Sequence, residues 1–393
     1  GATMAPDAGR AEPDAGQGEP LTILTDPSVP ADTSGIVQVD EYSATRDADE
    51  DGHFEVAGVD YTYAVFRNES YRCGRTGHHK FMTLQRSDFV GRATDTWVFL
   101  RGGGTGYYLP TDGGPVYVGT ESFNDEPTVD ELAQRVVTAF SADGTRANVL
   151  GRRLEEGTRV VAVAYCDHDL YAGTGHDYPN SPVEGATVDG LSAALAATLH
   201  VRSAHPEGQL WIHGTSAGSV GSYLLSRALL ARGEEISGVL LDAGALTSRR
   251  GEVMGNGCPP YSAEVEGVYG LDVESQMERI LQKALGDVSD EYLAAYEAEL
   301  LEHFLGTEGA PPYFIVQGED DPYCCGGPRF ELLPGADESD GNCRYVNSIF
   351  DAGVARDGAS RLVIVPDAGH VVTQIEAPFQ DEIEAWVRAA RGE

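Results

Sequence analysis

Leu210-Trp211-Ile212-His213-Gly214-Thr215-Ser216-Ala217-Gly218 is the stretch on which the reading of this chain turns. A short apolar run ends in Gly-x-Ser-x-Gly, and Ala217–Ala231 follows with apolar residues at helical spacing and no proline. At this glycine and serine content the five-residue pattern arises by chance about 0.3 times per chain, so its flanks decide. A strand that turns sharply into a helix leaves a serine in a strained backbone, and the positions two residues either side must be small. Ser216 is therefore the candidate nucleophile of a strand–elbow–helix unit, a building block of α/β folds.

A nucleophilic serine needs a base, and the base needs an acid to orient it. In folds built around such an elbow they follow in the order Ser, Asp or Glu, His. Only His303 and His370 lie downstream of Ser216. His303 belongs to the helical pattern Glu291–Phe304, whereas His370 follows the strand-like run Arg361-Leu362-Val363-Ile364-Val365 in the loop Pro366–His370. Loops at the carboxyl ends of strands carry chemistry in α/β enzymes, so His370 is the base. The acid is sought after the run Pro312-Tyr313-Phe314-Ile315-Val316, in Gln317-Gly318-Glu319-Asp320-Asp321-Pro322. Asp321 has the favoured spacing; Asp320 and, after Val239-Leu240-Leu241, Asp242 compete with it.

An oxyanion site is expected where Thr96-Trp97-Val98-Phe99-Leu100 runs into Arg101-Gly102-Gly103-Gly104. Glycines let backbone N–H groups approach a developing negative charge. Gly103, Gly104 and the amide of Ala217, just after the nucleophile, are the donors this pattern names.

Three stretches together resemble the pectin acetylesterase and Notum-like carboxylesterases, secreted serine hydrolases of the α/β-hydrolase type. They are Leu100–Gly104, Gly214–Gly218 with its helix, and Tyr165-Cys166-Asp167-His168-Asp169-Leu170-Tyr171-Ala172-Gly173. In the last, Tyr165, Cys166, Asp169 and Gly173 match the family's Tyr-Cys, two residues, Asp, three residues, Gly. The resemblance implies Ser216, Asp321 and His370 as a triad, Gly103, Gly104 and Ala217 as the oxyanion hole, and no cofactor. It implies a secreted esterase acting on polysaccharide acetyl groups or other short-chain esters. The family often continues its glycines with Trp and Cys, whereas Thr105-Gly106-Tyr107-Tyr108 follows here, so the resemblance alone does not assign a pectin or glycan acetyl ester. A lipase or peptidase on the same scaffold, or a binding protein that keeps the fold without catalysis, is the competing reading.

The chain has 393 residues and a net charge of −36. That excess argues against nucleic acid or anionic membrane partners, because both repel an acidic surface. Lys80 and Lys283 are the only lysines, a composition that suits high salt and also a GC-rich genome. No run is long and apolar enough to span a bilayer. Six cysteines without zinc-like spacing (Cys73, Cys166, Cys258, Cys324, Cys325, Cys343) suggest disulfides, with Cys343 and Cys324 or Cys325 able to close a short loop beside the acid. The chain is expected to be an exported product whose signal peptide has been removed.

Residues 1–34 read as an acidic disordered leader, and 35–393 as one α/β domain with a mostly parallel sheet and helices on both faces. Thr128-Val129-Asp130-Glu131 is a capping box for a helix reaching about Phe140. About 69 residues separate the strand ending near Asp242 from the run at Pro312, too many for a plain crossover. Helical patterns there mark an insertion, about 247–308, read as a lid over the site. Tyr107, Tyr108 and Tyr171 are the candidate pocket walls. Asp47–Gly52 copies the start of a calcium loop, but Gly58 stands where the twelfth-position Glu should be, so a solvated acidic turn before the strand Val59–Phe66 is the preferred reading. His78-His79 lacks a carboxylate at metal-binding spacing, and His213 is read as structural.

Overall fold

Strands that are mostly apolar bury both faces of their sheet, and the central strands here are buried at every position. The computed structural model describes residues 29–39, 52–56, 58–74, 77–103, 106–109, 111–119, 149–178, 180–243, 309–318, 358–366, 368–370 and 380–393. The strands in chain order are β1 (Ile36–Val39), β2 (His53–Val56), β3 (Val59–Cys73), β4 (Gly77–Arg86), β5 (Thr96–Leu100), β6 (Gly106–Leu109) and β7 (Val116–Gly119). They continue as β8 (Arg159–Val163), β9 (His176–Asp177), β10 (Thr187–Val188), β11 (Leu210–Thr215), β12 (Gly238–Asp242), β13 (Tyr313–Gly318) and β14 (Arg361–Val365). The helices are α1 (Val149–Glu155), α2 (Gly190–Ala204), α3 (Ala217–Leu230) and α4 (Gln380–Arg391).

The main sheet runs β1-β3-β4-β8-β5-β11-β12-β13-β14, with β2 also on β3. From β8 to β14 every neighbour is parallel. The β1 to β4 end, and its junction with β8, is antiparallel. Side-chain alternation sends Val98, Leu100, Val161, Val163, Ile212, Val239, Leu241 and Ile315 to one face, under α2 and α3. It sends Trp97, Phe99, Val160, Ala162, Trp211, Leu240, Phe314 and Val316 to the other, under α1 and α4. This mostly parallel sheet with helices on both faces is the α/β-hydrolase fold.

The connectivity positions the site. The chain leaves β5 for β8 on one side, then returns to β11 on the other. The carboxyl ends of β5 and β11 therefore flank a topological switch point, where open α/β sheets place their ligands. The loop after β5 carries the glycines, and the loop after β11 carries Ser216.

The expected strands at Thr96–Leu100, Leu210–Ile212, Val239–Leu241 and Arg361–Val365 all form. The strand expected over Val59–Phe66 runs on to Cys73, because β4 pairs with it across a register shift between Asn68 and Arg72. The antiparallel β6–β7 hairpin that follows the glycine loop was not anticipated. The leader, the acidic turn around Asp47, the capping-box helix and the insertion at 247–308 lie outside the described residues, apart from the first fragment after Val29. No helix among the described residues is long and apolar enough to cross a membrane.

Candidate active site

Ser216 sits between β11 and α3 with φ 52 and ψ −119. A non-glycine residue in this region costs about 1–3 kcal/mol and persists only where its surroundings hold it. Here the holding groups are identifiable. The Ser216 N–H donates to the Asp242 carbonyl at the end of β12, 2.8 Å away. Ser219 donates its hydroxyl to the same carbonyl at 2.6 Å and to that of Gly214 at 2.8 Å. Gly218 must be glycine, since a Cβ there would lie 2.0 Å from the Leu100 carbonyl oxygen. Asp242, a competing acid in the sequence, thus serves the elbow through its main chain.

His370 comes from the loop after β14, 154 positions along the chain, and places Nε2 2.7 Å from Ser216 Oγ. That loop lies tightly over the end of β13, where a Cβ on Gly318 would meet the Gly369 carbonyl at 2.1 Å. The last described residue of β13, Gly318, therefore lies directly beside the His370 loop. Asp320 and Asp321 both lie outside the described residues. Ser216 is 7% exposed.

Gly102 lies against the elbow, with its N–H donating to Thr215 Oγ1 at 2.9 Å. Its carbonyl accepts from Nε of Arg101 at 3.0 Å. Gly103 follows, and Gly104 lies outside the described residues. Ala217 opens α3, so its N–H has no acceptor within the helix. The structure thus brings Ser216, His370, Ala217 and the start of the glycine loop to one end of the sheet.

Tyr165–Gly173 forms the floor behind this loop. Cys166 is disulfide-bonded to Cys73 at the end of β3. Asp167 accepts the N–H groups of Gly74 at 2.9 Å and Asp189 at 2.7 Å, and pairs with Nε2 of His79 at 3.0 Å. Burial opposes charge on His79, but the neighbouring Asp167 outweighs it and raises the imidazole pKa above 6.5. Burial likewise opposes charge on Asp167, yet His79 and the two N–H groups bring its pKa below 3.8. Asp169 accepts from Tyr171, Gly173 and Gly190 main-chain N–H groups at 3.0, 2.7 and 3.2 Å. It thereby caps α2 from a different loop. His168, Leu170 and Tyr171 all take positive φ, and this tight winding lets the His168 carbonyl accept from Gly106, 3.0 Å away.

The same winding corrects one expectation. Tyr171 was read as a pocket wall, but it is 1% exposed, stacked on Tyr165 at 4.5 Å and packed against Gly221 of α3. It is a core residue. Tyr108 is half-buried on β6, with its ring 5.2 Å from Tyr117 and 5.5 Å from Tyr178. Tyr107 occupies the neighbouring position of β6. His213 is structural, buried against Phe99 and Trp97, and burial pushes its pKa down to about 3. His79 is tied to Asp167 rather than to a metal pair with His78. Sequence spacing did not single out Thr215, Arg101 or the His79–Asp167 pair. Asp167 is 88 positions from its partner, so no local pattern connects them.

No protein-family model matches the chain, and no curated protein matches its sequence. Among solved structures it is similar to a hyperthermophilic esterase from Pyrobaculum calidifontis, with 14% identity and a TM-score of 0.43 over 81% of this chain and 82% of that one. An S-formylglutathione hydrolase from Agrobacterium tumefaciens matches at 13% identity and a TM-score of 0.44, over 86% and 98% of the two chains. An acylaminoacyl peptidase from Pyrococcus horikoshii matches at 12% identity and 0.37, over 79% of this chain and 38% of that one. Both ester and peptide hydrolases stand among these neighbours, and likenesses this distant do not choose between them.

Proposed function

We propose that the protein is a serine hydrolase that cleaves carboxylic esters through an acyl-enzyme. The observation that carries this reading is His370 Nε2 at 2.7 Å from Ser216 Oγ, at the switch point of the sheet. At that distance the imidazole accepts the hydroxyl proton as Oγ attacks the ester carbonyl. Asp321 is the acid that orients the imidazole and stabilises its cationic form. The tetrahedral oxyanion is held by the amides of Ala217 and of Gly103 or Gly104. The imidazolium then gives its proton to the departing alcohol, and water repeats the cycle to free Ser216.

A short acyl group, such as the acetyl ester of a glycan, is the substrate class this reading favours. The net charge of −36 repels polyanions and leaves neutral esters as the better partners. The buried Cys73–Cys166 disulfide supports secretion, because such bonds persist in oxidising compartments.

The test is hydrolysis of p-nitrophenyl esters from acetate to long acyl chains, with wild type, Ser216→Ala and a peptide p-nitroanilide alongside. Short-chain activity that vanishes in Ser216→Ala supports the esterase. Anilide or long-chain cleavage instead moves the assignment to a peptidase or lipase. Equal inactivity of both proteins, with no labelling of Ser216 by a fluorophosphonate, points to a fold retained for binding.

A further inference from the structure

We infer that Thr215, the residue preceding the nucleophile, is a positioning residue that sets the oxyanion loop against the elbow. The inference rests on the hydrolase reading above. Catalysis by backbone amides requires two segments, the glycine loop after β5 and the first turn of α3, to hold a fixed spacing. An error of about 1 Å costs on the order of a hundredfold in rate. Neither segment is covalently near the other: Gly102 and Thr215 are 113 positions apart.

The structure joins them at Gly102. Its N–H donates to Thr215 Oγ1 at 2.9 Å. Its carbonyl is held by Arg101 Nε at 3.0 Å. A Cβ on Gly102 would stand 2.8 Å from Ser216 Cβ and 2.9 Å from the Thr215 carbonyl oxygen. The loop is thus in contact with the nucleophile's own residue, and one side-chain hydroxyl sets the distance.

Two consequences follow from peptide geometry. Gly102's amide is engaged by Thr215, so the loop's donors to the oxyanion begin at Gly103. The peptide joining Gly102 to Gly103 is planar and trans, so the Gly103 N–H points opposite to the carbonyl that Arg101 holds. Arg101 fixes that direction, and Thr215 fixes the distance. Thr215 is 1% exposed, so its effect is exerted through the loop and not by contact with substrate.

The experiment is steady-state hydrolysis of p-nitrophenyl acetate by wild type, Thr215→Val and Thr215→Ser. Valine keeps the shape and removes the acceptor oxygen, while serine keeps the oxygen. The expected result is a fall in kcat of about 10- to 100-fold in Thr215→Val with KM within about threefold. An alkyl boronic acid, which mimics the tetrahedral state, should lose affinity by the same factor, and Thr215→Ser should restore most of the rate. Unchanged kcat in a folded Thr215→Val, or a raised KM at constant kcat, overturns the inference. If Thr215→Val does not fold, Thr215→Ala is compared with Thr215→Ser in its place: equal kcat values overturn the inference, and a lower kcat with unchanged KM in the alanine variant supports it. Wild type that hydrolyses no ester and resists fluorophosphonate defeats the hydrolase reading itself, and this inference with it. An active wild type with an indifferent Thr215 defeats only the inference.

Discussion

His79 on β4 and Asp167 in the loop after β8 form an ion pair, Nε2 to Oδ2 3.0 Å, with both side chains buried. The pair stands beside the Cys73–Cys166 disulfide, so an electrostatic and a covalent bond hold the same loop to the antiparallel end of the sheet. That loop carries the carbonyl that receives Gly106 and the ring that supports α3. The site's geometry is thus linked to a pair of titrating groups that never touch substrate.

Stability should therefore fall as pH rises above neutrality. His79 has a folded pKa above 6.5, so its contribution is complete below that value and is lost as pH rises through the folded value. Asp167 has a folded pKa below 3.8, so its contribution is present above 3.8 and is lost as pH falls through the folded value. Asp189, raised by burial to about 6, adds stability that is full below 3.8 and lost as pH climbs to its folded value. The urea midpoint should decline as pH rises through about 6, where Asp189 ionises, and on past 6.5 as His79 loses its proton. His79→Gln should be less stable at the acidic end and flatter above pH 6.5. Parallel wild-type and variant profiles would remove the pair from the account.

Asp321→Asn should lower kcat by about 10⁴ with little change in KM, as expected when the orienting acid no longer fixes the imidazole tautomer. Asp320→Asn should stay within about threefold of wild type. Gly318, two and three positions before these aspartates, lies against the Gly369 carbonyl beside His370. A reversal of the two phenotypes reassigns the acid to Asp320, and loss of rate in neither excludes this loop.

How much of this was legible in the sequence depended on whether neighbours along the chain or neighbours in space set each residue. The parallel strands were legible because both of their faces are buried, leaving runs such as Thr96–Leu100 almost wholly apolar. The elbow was legible because the contact between Gly218 and Leu100 admits no side chain. The approach of His370 to Ser216 was legible by order along the chain, with only one other histidine downstream. Tyr171 was not, because a residue after a strand ordinarily faces outward, and here positive φ at three nearby residues turns the chain back under α3. The far half of β3 was obscured by the polar run Arg67-Asn68-Glu69-Ser70, although β1 and β4 pair with Arg67 and Asn68 on both sides. Thr215 was overlooked since the pattern Gly-x-Ser-x-Gly leaves its position unspecified.

Neutralising Glu384 should loosen the hold on the C-terminal helix. Arg153 on α1 is fully buried and pairs with Glu384 of α4 and, at 3.1 Å, with Glu156. Breaking a buried pair leaves an uncompensated charge, a loss of about 3 kcal/mol or more. Here Glu156 and the face of Trp97, 5.6 Å from the guanidinium, temper it. Glu384→Gln should lower the urea midpoint by about 1 kcal/mol or more in stability. Arg153→Met should recover part of that, since it removes the charge as well as the bond. A Glu384→Gln protein as stable as wild type would show that Glu156 alone satisfies Arg153.

Added salt should raise the melting temperature. The chain carries 63 carboxylates and 27 Lys or Arg side chains, so one-to-one pairing leaves 36 acids without a cation of their own. Self-repulsion of that size destabilises the compact state, and it acts mainly over distances that salt screens, about 10 Å at 0.1 M and about 3 Å at 1 M. The described Arg pairs work in the opposite direction, because screening weakens exposed pairs such as Arg67–Glu69 and Arg86–Asp88. Exposed pairs of this kind contribute little to stability, and Arg153 is buried where salt does not reach. Repulsion therefore wins. Melting followed by circular dichroism from about 0.05 M to about 1 M NaCl should show a steady rise, steepest at the low end where the screening length changes most. A variant with several exposed surface acids changed to glutamine should show a shallower rise from a higher starting point. A melting temperature that is flat or falls with salt would mean that the acids are dispersed widely enough for local pairs to dominate.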